Sequence, residues 1–310
     1  MMVVFSFPKL LVFMLLMMFL VSGCKGEDEA SAKESGAVEF VGMEVDGRVY
    51  NPDPYASLYG DVYGDSPIDS VVDDLRDNDP YATYLMGVLY YNDYPEYGIK
   101  RDLEKGRELL EEAWRMGVID AGYSLYEVYG SGNGVGESRS VALEYLISSA
   151  EMGYVKSQVA LAEDYFGRGE NDYLETDYRL SKEWYEKAAE LGDKESGVAL
   201  AKIYYEGYGV PVNYNAAFEW MKRAENMPYG SATFGFGTLA KCYEEGIGTT
   251  ISLVQAYKYY DLRGTAGIPD KERLSEQMTP EQIQEAIRLS GEWQREHNIS
   301  MPNSEGYQYR

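Results

Sequence analysis

A single tyrosine register recurs five times through the middle of the chain, at Tyr90, Tyr129, Tyr165, Tyr204 and Tyr243, with spacings of 39, 36, 39 and 39 residues. A period of this size marks a repeat array, in which no unit buries its own apolar face and neighbours must share a core. Four residues before each Tyr stands an apolar side chain: Met86, Leu125, Leu161, Leu200 and Leu239. Three before it the residue is usually small, as in Ala162, Ala201 and Ala240. A second register follows downstream in ALEYLISSAEMG (142–153), SKEWYEKAAELG (181–192) and AFEWMKRAENMP (217–228), with Tyr145, Trp184 and Trp220 at its fourth position. Positions i, i+3, i+4 and i+8 share one helical face, so each unit reads as two amphipathic helices. The small residues let the paired helices approach closely, and the Gly that closes two of these segments suits a left-handed C-cap.

The segment LAKIYYEGYGVPVNYNAAFEWMKRA (200–224) carries Leu200, Ala201, Tyr204, Gly207, Gly209, Val210, Ala217, Trp220 and Ala224. In these marks it closely resembles the Sel1-like repeat, a relative of the tetratricopeptide repeat. The resemblance covers roughly residues 81–267, in five units. It implies an all-α, right-handed α-solenoid of about five helix-turn-helix repeats with terminal capping helices. The departures lie in loops: YNDYPEYGIKRD in the first unit and GRGENDYLETD in the third stand where glycines are expected, and Thr249-Thr250 follows Gly248 in the fifth. Before the array, residues 38–80 read as an N-terminal segment with a possible hairpin turning at Asp46-Gly47 and a short helix at 67–77 opened by Ser66-Pro67. After it, residues 268–298 read as capping helices, the longer opened by Thr279-Pro280-Glu281-Gln282, and 299–310 as a polar tail.

The N-terminus reads as a targeting signal. Lys9 is followed by twelve residues, Leu10 to Val21, without a polar side chain. That run is short of the roughly 20 residues that span a bilayer but suits a signal-peptide core. It ends in Val21-Ser22-Gly23-Cys24, which resembles the bacterial lipobox. The resemblance implies that residues 1–23 are cleaved as a lipoprotein signal peptide and that Cys24 is acylated. Lys25 in place of an acid implies the outer rather than the inner membrane, on the periplasmic side. Residues 24–37 then form a lipidated tether, because KGEDEASAKESGA has no large apolar group to bury.

The formal net charge is −24, and removal of 1–23 takes Lys9 and no acid, leaving −25. Such a surface repels phosphate backbones and anionic headgroups, so nucleic acid is excluded as a partner and membrane contact falls to the anchor. A basic protein partner fits it. Catalysis finds little footing. The sole histidine, His297, sits in the polar REHN end of the last helix, and Cys242 occupies a position that is apolar in other units. No metal, cofactor or small-molecule substrate is expected. Gly130 to Gly136 lacks the Lys-Ser/Thr of a phosphate loop. Asp73, Asp74, Asp77 and Asp79 lack calcium-loop spacing. Asp164 stands where the other repeats are apolar, which fits either an irregular helix end or a partner contact.

What remains is a surface. The residues six before, two before and one after each signature Tyr form a stripe on the first helices: Tyr84/Val88/Tyr91, Tyr123/Glu127/Gly130, Val159/Glu163/Phe166, Val198/Lys202/Tyr205 and Gly237/Lys241/Glu244. In related solenoids the first helices line the concave face, so the resemblance implies a groove, aromatic and acidic at one end. Tyr84, Tyr91, Tyr123, Glu127, Glu163, Phe166, Lys202 and Tyr205 are its candidate partner-binding residues, against the alternative that these rings pack between repeats. The implied function is that of a membrane-anchored periplasmic adaptor or inhibitor. Sel1-like proteins are found among immunity factors that neutralise secreted phospholipases, so immunity to a periplasm-acting toxin is the narrower expectation. An envelope organiser of cell-wall proteins and a hydrolase are the alternatives. The hydrolase would follow cysteine-rich secreted relatives whose paired cysteines this chain lacks.

Overall fold

The computed structural model describes residues 43–45, 48–50, 68–169 and 173–305, so the signal segment, Cys24 and the tether lie outside the described residues. Strands β1 (Met43–Val45) and β2 (Arg48–Tyr50) pair antiparallel with Val45 opposite Arg48. The two strands flank Asp46-Gly47, where the hairpin is expected to turn, and those two residues lie outside the described residues. Helix α1 (Ile68–Arg76) precedes the array.

Five helix pairs follow: α2 (Pro80–Tyr91) with α3 (Leu103–Arg115), α4 (Asp120–Ser131) with α5 (Arg139–Glu151), and α6 (Val155–Phe166) with α7 (Tyr178–Glu190). The last two are α8 (Lys194–Glu206) with α9 (Tyr214–Glu225), and α10 (Phe236–Glu245) with α11 (Leu253–Asp261). The chain is an all-α solenoid apart from the small hairpin. The apolar register behaves as its spacing demands: Met86, Leu125, Leu161, Leu200 and Leu239 are all buried, as are Ala162, Ala201 and Ala240. In the second unit Tyr126 replaces the small residue. It is accommodated because the loop of the next unit sends Tyr173 back against it, edge to face at 6.2 Å.

One backbone contact explains why the Tyr position is periodic. The Tyr90, Tyr129, Tyr165, Tyr204 and Tyr243 carbonyls accept the N–H of Asp102, Ser138, Asp177, Asn213 and Ser252, at 2.8 to 2.9 Å. Each donor is the N-cap of the unit's second helix, and all but Ser138 also accept a first-turn N–H with the side chain. The N-cap lies twelve residues after the Tyr in the first and third units and nine in the others. The loop departures of the first and third units are thus three-residue insertions closed by the same hydrogen bond, whereas Thr249-Thr250 in the fifth leaves the length at nine. In the first, a 3₁₀ turn (Pro95–Tyr97) fills the extra length, and Tyr97 packs on the core beneath it. In the third, the Tyr173 hydroxyl donates to the Gly130 carbonyl at 3.1 Å. The fourth unit instead lengthens the link to its successor. There the buried Lys194 donates from Nζ to the Ala232 carbonyl at 2.9 Å.

A 3₁₀ turn (Gly264–Gly267) leads into α12 (Ile268–Ser275) and α13 (Pro280–Glu296), which cap the array. Helix α13 starts in a full capping box between Thr279 and Gln282. The following residues are no free tail as far as Glu305. Asp261, wholly buried at the end of α11, accepts Lys271 Nζ at 2.7 Å and the Glu305 N–H at 2.9 Å. It also accepts the hydroxyls of Ser290 and Ser304. Gln294 holds the Met301 N–H and the Ser304 hydroxyl, both at 2.9 Å. A polar composition hid this segment because, Ile299 on the core aside, its anchors are hydrogen bonds.

Candidate partner-binding groove

The structure divides the stripe in two. Tyr84 is 3% exposed and its hydroxyl meets Ser124 Oγ of the next unit at 3.3 Å. Its ionisation is pushed far upward, first by burial and then by the Asp120 carboxylate. Phe166 is 8% exposed, with the rings of Tyr178 and Tyr208 edge-on at 5.1 and 5.0 Å. Both fill junctions between units and are corrected from surface anchors to packing residues. The reason lies in the stacking. Each ring turns into space left beside it at the junction with the next unit: Tyr84, six before its Tyr, at Ser124, and Phe166, one after its Tyr, at the Tyr178–Tyr208 corner.

The remaining candidates reach solvent. Tyr91 is half-buried and its hydroxyl donates to the Asn133 carbonyl at 3.1 Å. Tyr123 is half-buried beneath Lys156, whose ammonium stands 4.5 Å from the ring centroid. Glu127, Glu163, Lys202 and Lys241 are exposed. Tyr205 is 41% exposed, its ring 5.3 Å from that of Tyr214. Glu244, at the far end, is committed elsewhere: Arg273 bridges it and Tyr260 donates to it at 2.9 Å. These bonds, the Arg273 contact above all, hold its carboxyl below the usual value.

Two cavities open on this stripe. One of about 320 Å³ lies between α2 and α4, walled by Val88, Tyr91, Leu110 and Ser124 with Glu127 at its edge. Another of about 370 Å³ lies between α8 and α10, walled by Val198, Ala201, Tyr205, Met221 and Ile247, with Lys202 and Lys241 beside it. Sequence reasoning found Tyr91, Glu127, Lys202 and Tyr205. It missed Leu110 and Met221, which come from second helices, and Ile247, which comes from a loop. No signal in the repeat marks them, because only the stacking brings them to the first-helix face.

The residues that raised chemical alternatives have structural places. His297 stacks on Trp293 at 4.1 Å, with Nδ1 2.8 Å from the Trp293 carbonyl. Cys242 is buried, and burial pushes its thiol up to about 11. Gly132 and Gly134 adopt φ of +68° and +76° in an inter-helix turn. Asp79 caps α2 through the Ala82 N–H at 2.7 Å. Asp164 is 3% exposed and lies so close over Gly169 that a Cβ there would sit 1.4 Å from its Oδ1. Its helix ends regularly, in the same left-handed glycine cap (Gly167) that closes α4, α8 and α10, and the carboxylate is buried under the turn that follows rather than placed on the surface. Among the described residues, no group of three or more His, Cys, Asp or Glu is placed to hold a metal ion, and no helix is long and apolar enough to cross a membrane.

With this geometry in place, comparisons with known proteins add a lineage. The Sel1 repeat family model matches residues 80–118, 120–154, 155–193, 198–229 and 239–262, more than half of the chain. Curated relatives include the chitin synthase regulator SKT5 of Saccharomyces cerevisiae, 31% identical over 208 residues that cover 64% of this chain and 29% of the regulator. An uncharacterized protein of Neisseria meningitidis serogroup B is 24% identical over 192 residues, covering 62% of this chain and 38% of the relative. The chain thus spans well under half the length of either. Among solved structures, a protective antigen of uropathogenic Escherichia coli strains with an SLR fold superposes with a TM-score of 0.59 at 22% identity, over 77% of this chain and 51% of the antigen. A Sel1 repeat protein from Oxalobacter formigenes superposes with a TM-score of 0.56 at 18% identity, over 73% of this chain and 93% of that protein. Both show the fold alone.

Proposed function

The chain belongs to the Sel1 repeat family, and on that premise we propose that it is a protein-binding adaptor or inhibitor that holds its partner along the first-helix stripe. Arrays of these repeats are generally non-catalytic interaction scaffolds. The observation that carries the reading is the pair of cavities on one stripe, bordered by the accessible Tyr91 and Tyr205 and by exposed charge. Rings that are partly wet and partly held are what protein interfaces concentrate. The yeast relative is named as a regulator of an enzyme, which fits a chain that acts by contact.

The proposal places the mature chain in the periplasm, held by acyl chains on Cys24 and sorted to the outer membrane. Val21-Ser22-Gly23-Cys24 supports this part of it. Within that setting the role is immunity against a toxin that acts at the membrane, such as a phospholipase. An acidic, anchored binder, with a net charge of −25 once residues 1–23 are removed, suits a basic partner arriving there. Labelled palmitate should enter the wild-type protein and not the Cys24→Ala variant; a wild-type chain that takes up no label removes the anchor.

The groove is tested by capture from the native envelope, followed by titration of the captured protein. Tyr91→Ala and Tyr205→Ala should leave the fold intact, and at least one should weaken binding by about 2 kcal/mol, roughly 30-fold. Tyr84→Ala and Phe166→Ala should instead lower stability by about 3–5 kcal/mol, as buried aromatics do. Wild-type affinity in both surface variants would move recognition off the stripe.

A further inference from the structure

The groove's two ends differ in chemistry, and from that difference we infer a bipartite partner segment: basic side chains over Glu127 and Glu163, and one aromatic side chain seated in the cavity between α8 and α10. The inference rests on the protein-capture reading above and deepens it.

At the position two before the signature Tyr, the units carry Val88, Glu127, Glu163, Lys202 and Lys241 in order. The two carboxylates are exposed on adjacent first helices, in a chain whose net charge is −24. That end attracts cations both by contact and through the long-range field. The other end is different. Lys202 and Glu206 lie four residues apart on α8, as do Lys241 and Glu245 on α10, and all four border the cavity. At that spacing opposite charges offset each other along a helix face. The rim is close to neutral, so it selects for shape and apolarity rather than for charge.

The walls select further. Val198, Ala201 and Ile247 are aliphatic or small, Tyr205 presents its ring, and Met221 presents a thioether. Sulfur and ring edges favour an aromatic guest. A cavity of about 370 Å³ takes one large aromatic side chain and leaves room for the backbone that carries it. Packed helices lie about 8–10 Å apart, so by helix count the cavity stands on the order of 12–15 Å from Glu163 and 20–25 Å from Glu127, and about seven extended residues span the longer of the two.

The probe is a fluorescein-labelled peptide with Lys-Arg-Lys at one end, a seven-residue Ser/Gly spacer and a Phe, titrated by anisotropy against the full chain in non-ionic detergent. Replacing the peptide's Phe by Gln should weaken binding about 30-fold, the effect of losing one buried aromatic side chain. Thr238→Trp fills the mouth of the cavity from an exposed position, and it should weaken the Phe peptide similarly while leaving the Gln peptide unchanged. Lys202→Trp fills it from the opposite wall if the first variant folds poorly; because it also removes a positive charge, it is read as the ratio of Phe-peptide to Gln-peptide affinity, which should fall by the same factor. Glu127→Lys together with Glu163→Lys should weaken both peptides and reduce their salt dependence. Equal binding of the Phe and Gln peptides, an equal response of both to the Trp variants, or no binding of either overturns the inference. If an envelope protein is then still captured in a Tyr91- and Tyr205-dependent way, the groove reading stands and only the bipartite segment falls.

Discussion

Replacing Asp261 by Ala is expected to lower stability by about 3–5 kcal/mol, the effect of breaking a buried ion pair from one side. The variant leaves Lys271, itself 4% exposed, without the carboxylate 2.7 Å from its ammonium. It also removes the acceptor to which the Ser290 and Ser304 hydroxyls and the Glu305 N–H donate. Residues 299–305 should then detach, since this hub joins them to α11, α12 and α13. Urea unfolding reads the first effect and carboxypeptidase digestion the second; a wild-type midpoint with a protected C-terminus would disprove the hub. The hub also has a pH signature. Burial works against the Asp261 charge, but the bonds from Lys271, Ser290, Ser304 and the Glu305 N–H outweigh it and hold the carboxyl below its ordinary value. The unfolded chain therefore takes up the proton first. The stabilisation is complete above the ordinary carboxylate value, about 4, and is lost as pH falls through the lower folded value. Asp261→Asn should flatten that acid limb.

Ala162→Arg should cost more than about 3 kcal/mol. Ala162 is wholly buried on α6 among Tyr185, Ala189, Leu200 and Ile203, and its carbonyl accepts the Ser181 hydroxyl at 2.7 Å. A long charged side chain has no route to water there. In a linear array the damage spreads, because each unit is stabilised by its neighbours. Ala201→Arg is the instructive contrast. Ala201 holds the same register position in the next unit but lines the cavity between α8 and α10, so the guanidinium can leave through the groove. Its effect should be clearly smaller. Glu190→Ala, exposed at the end of α7, should stay within about 0.5 kcal/mol. Equal losses for Ala162→Arg and Ala201→Arg would show that the cavity does not open onto the first-helix face.

The contrast between these two alanines marks the limit of what the repeat reveals. Both satisfy one rule of spacing, and only the surroundings separate them. The same holds on the stripe. Tyr84 and Tyr91 lie two turns apart on α2 and were candidates on equal terms, yet one is packed against Ser124 and the other reaches solvent. Lys194 stands where Ile119 and Val155 are buried, and its lysine is equally buried because the insertion 226–235 offers it a carbonyl. No periodicity announces such a partner.

The sequence by itself determined the number of units, the helix pairs, the buried Leu and Ala registers and the helix start at Thr279. These depend on contacts within a few residues, on a period of 3.6, and on backbone groups that every helix end must satisfy. It also carried the closure of each loop, legible in retrospect as an Asp, Ser or Asn nine or twelve residues after each Tyr. The tertiary structure alone decided which stripe residues are accessible, where the two cavities lie, and that Asp261 gathers Lys271, Ser290, Ser304 and Glu305. Each of these depends on groups from about 10 to about 50 residues apart in sequence. Their proximity is set by how one unit stacks on the next, and local spacing does not encode it.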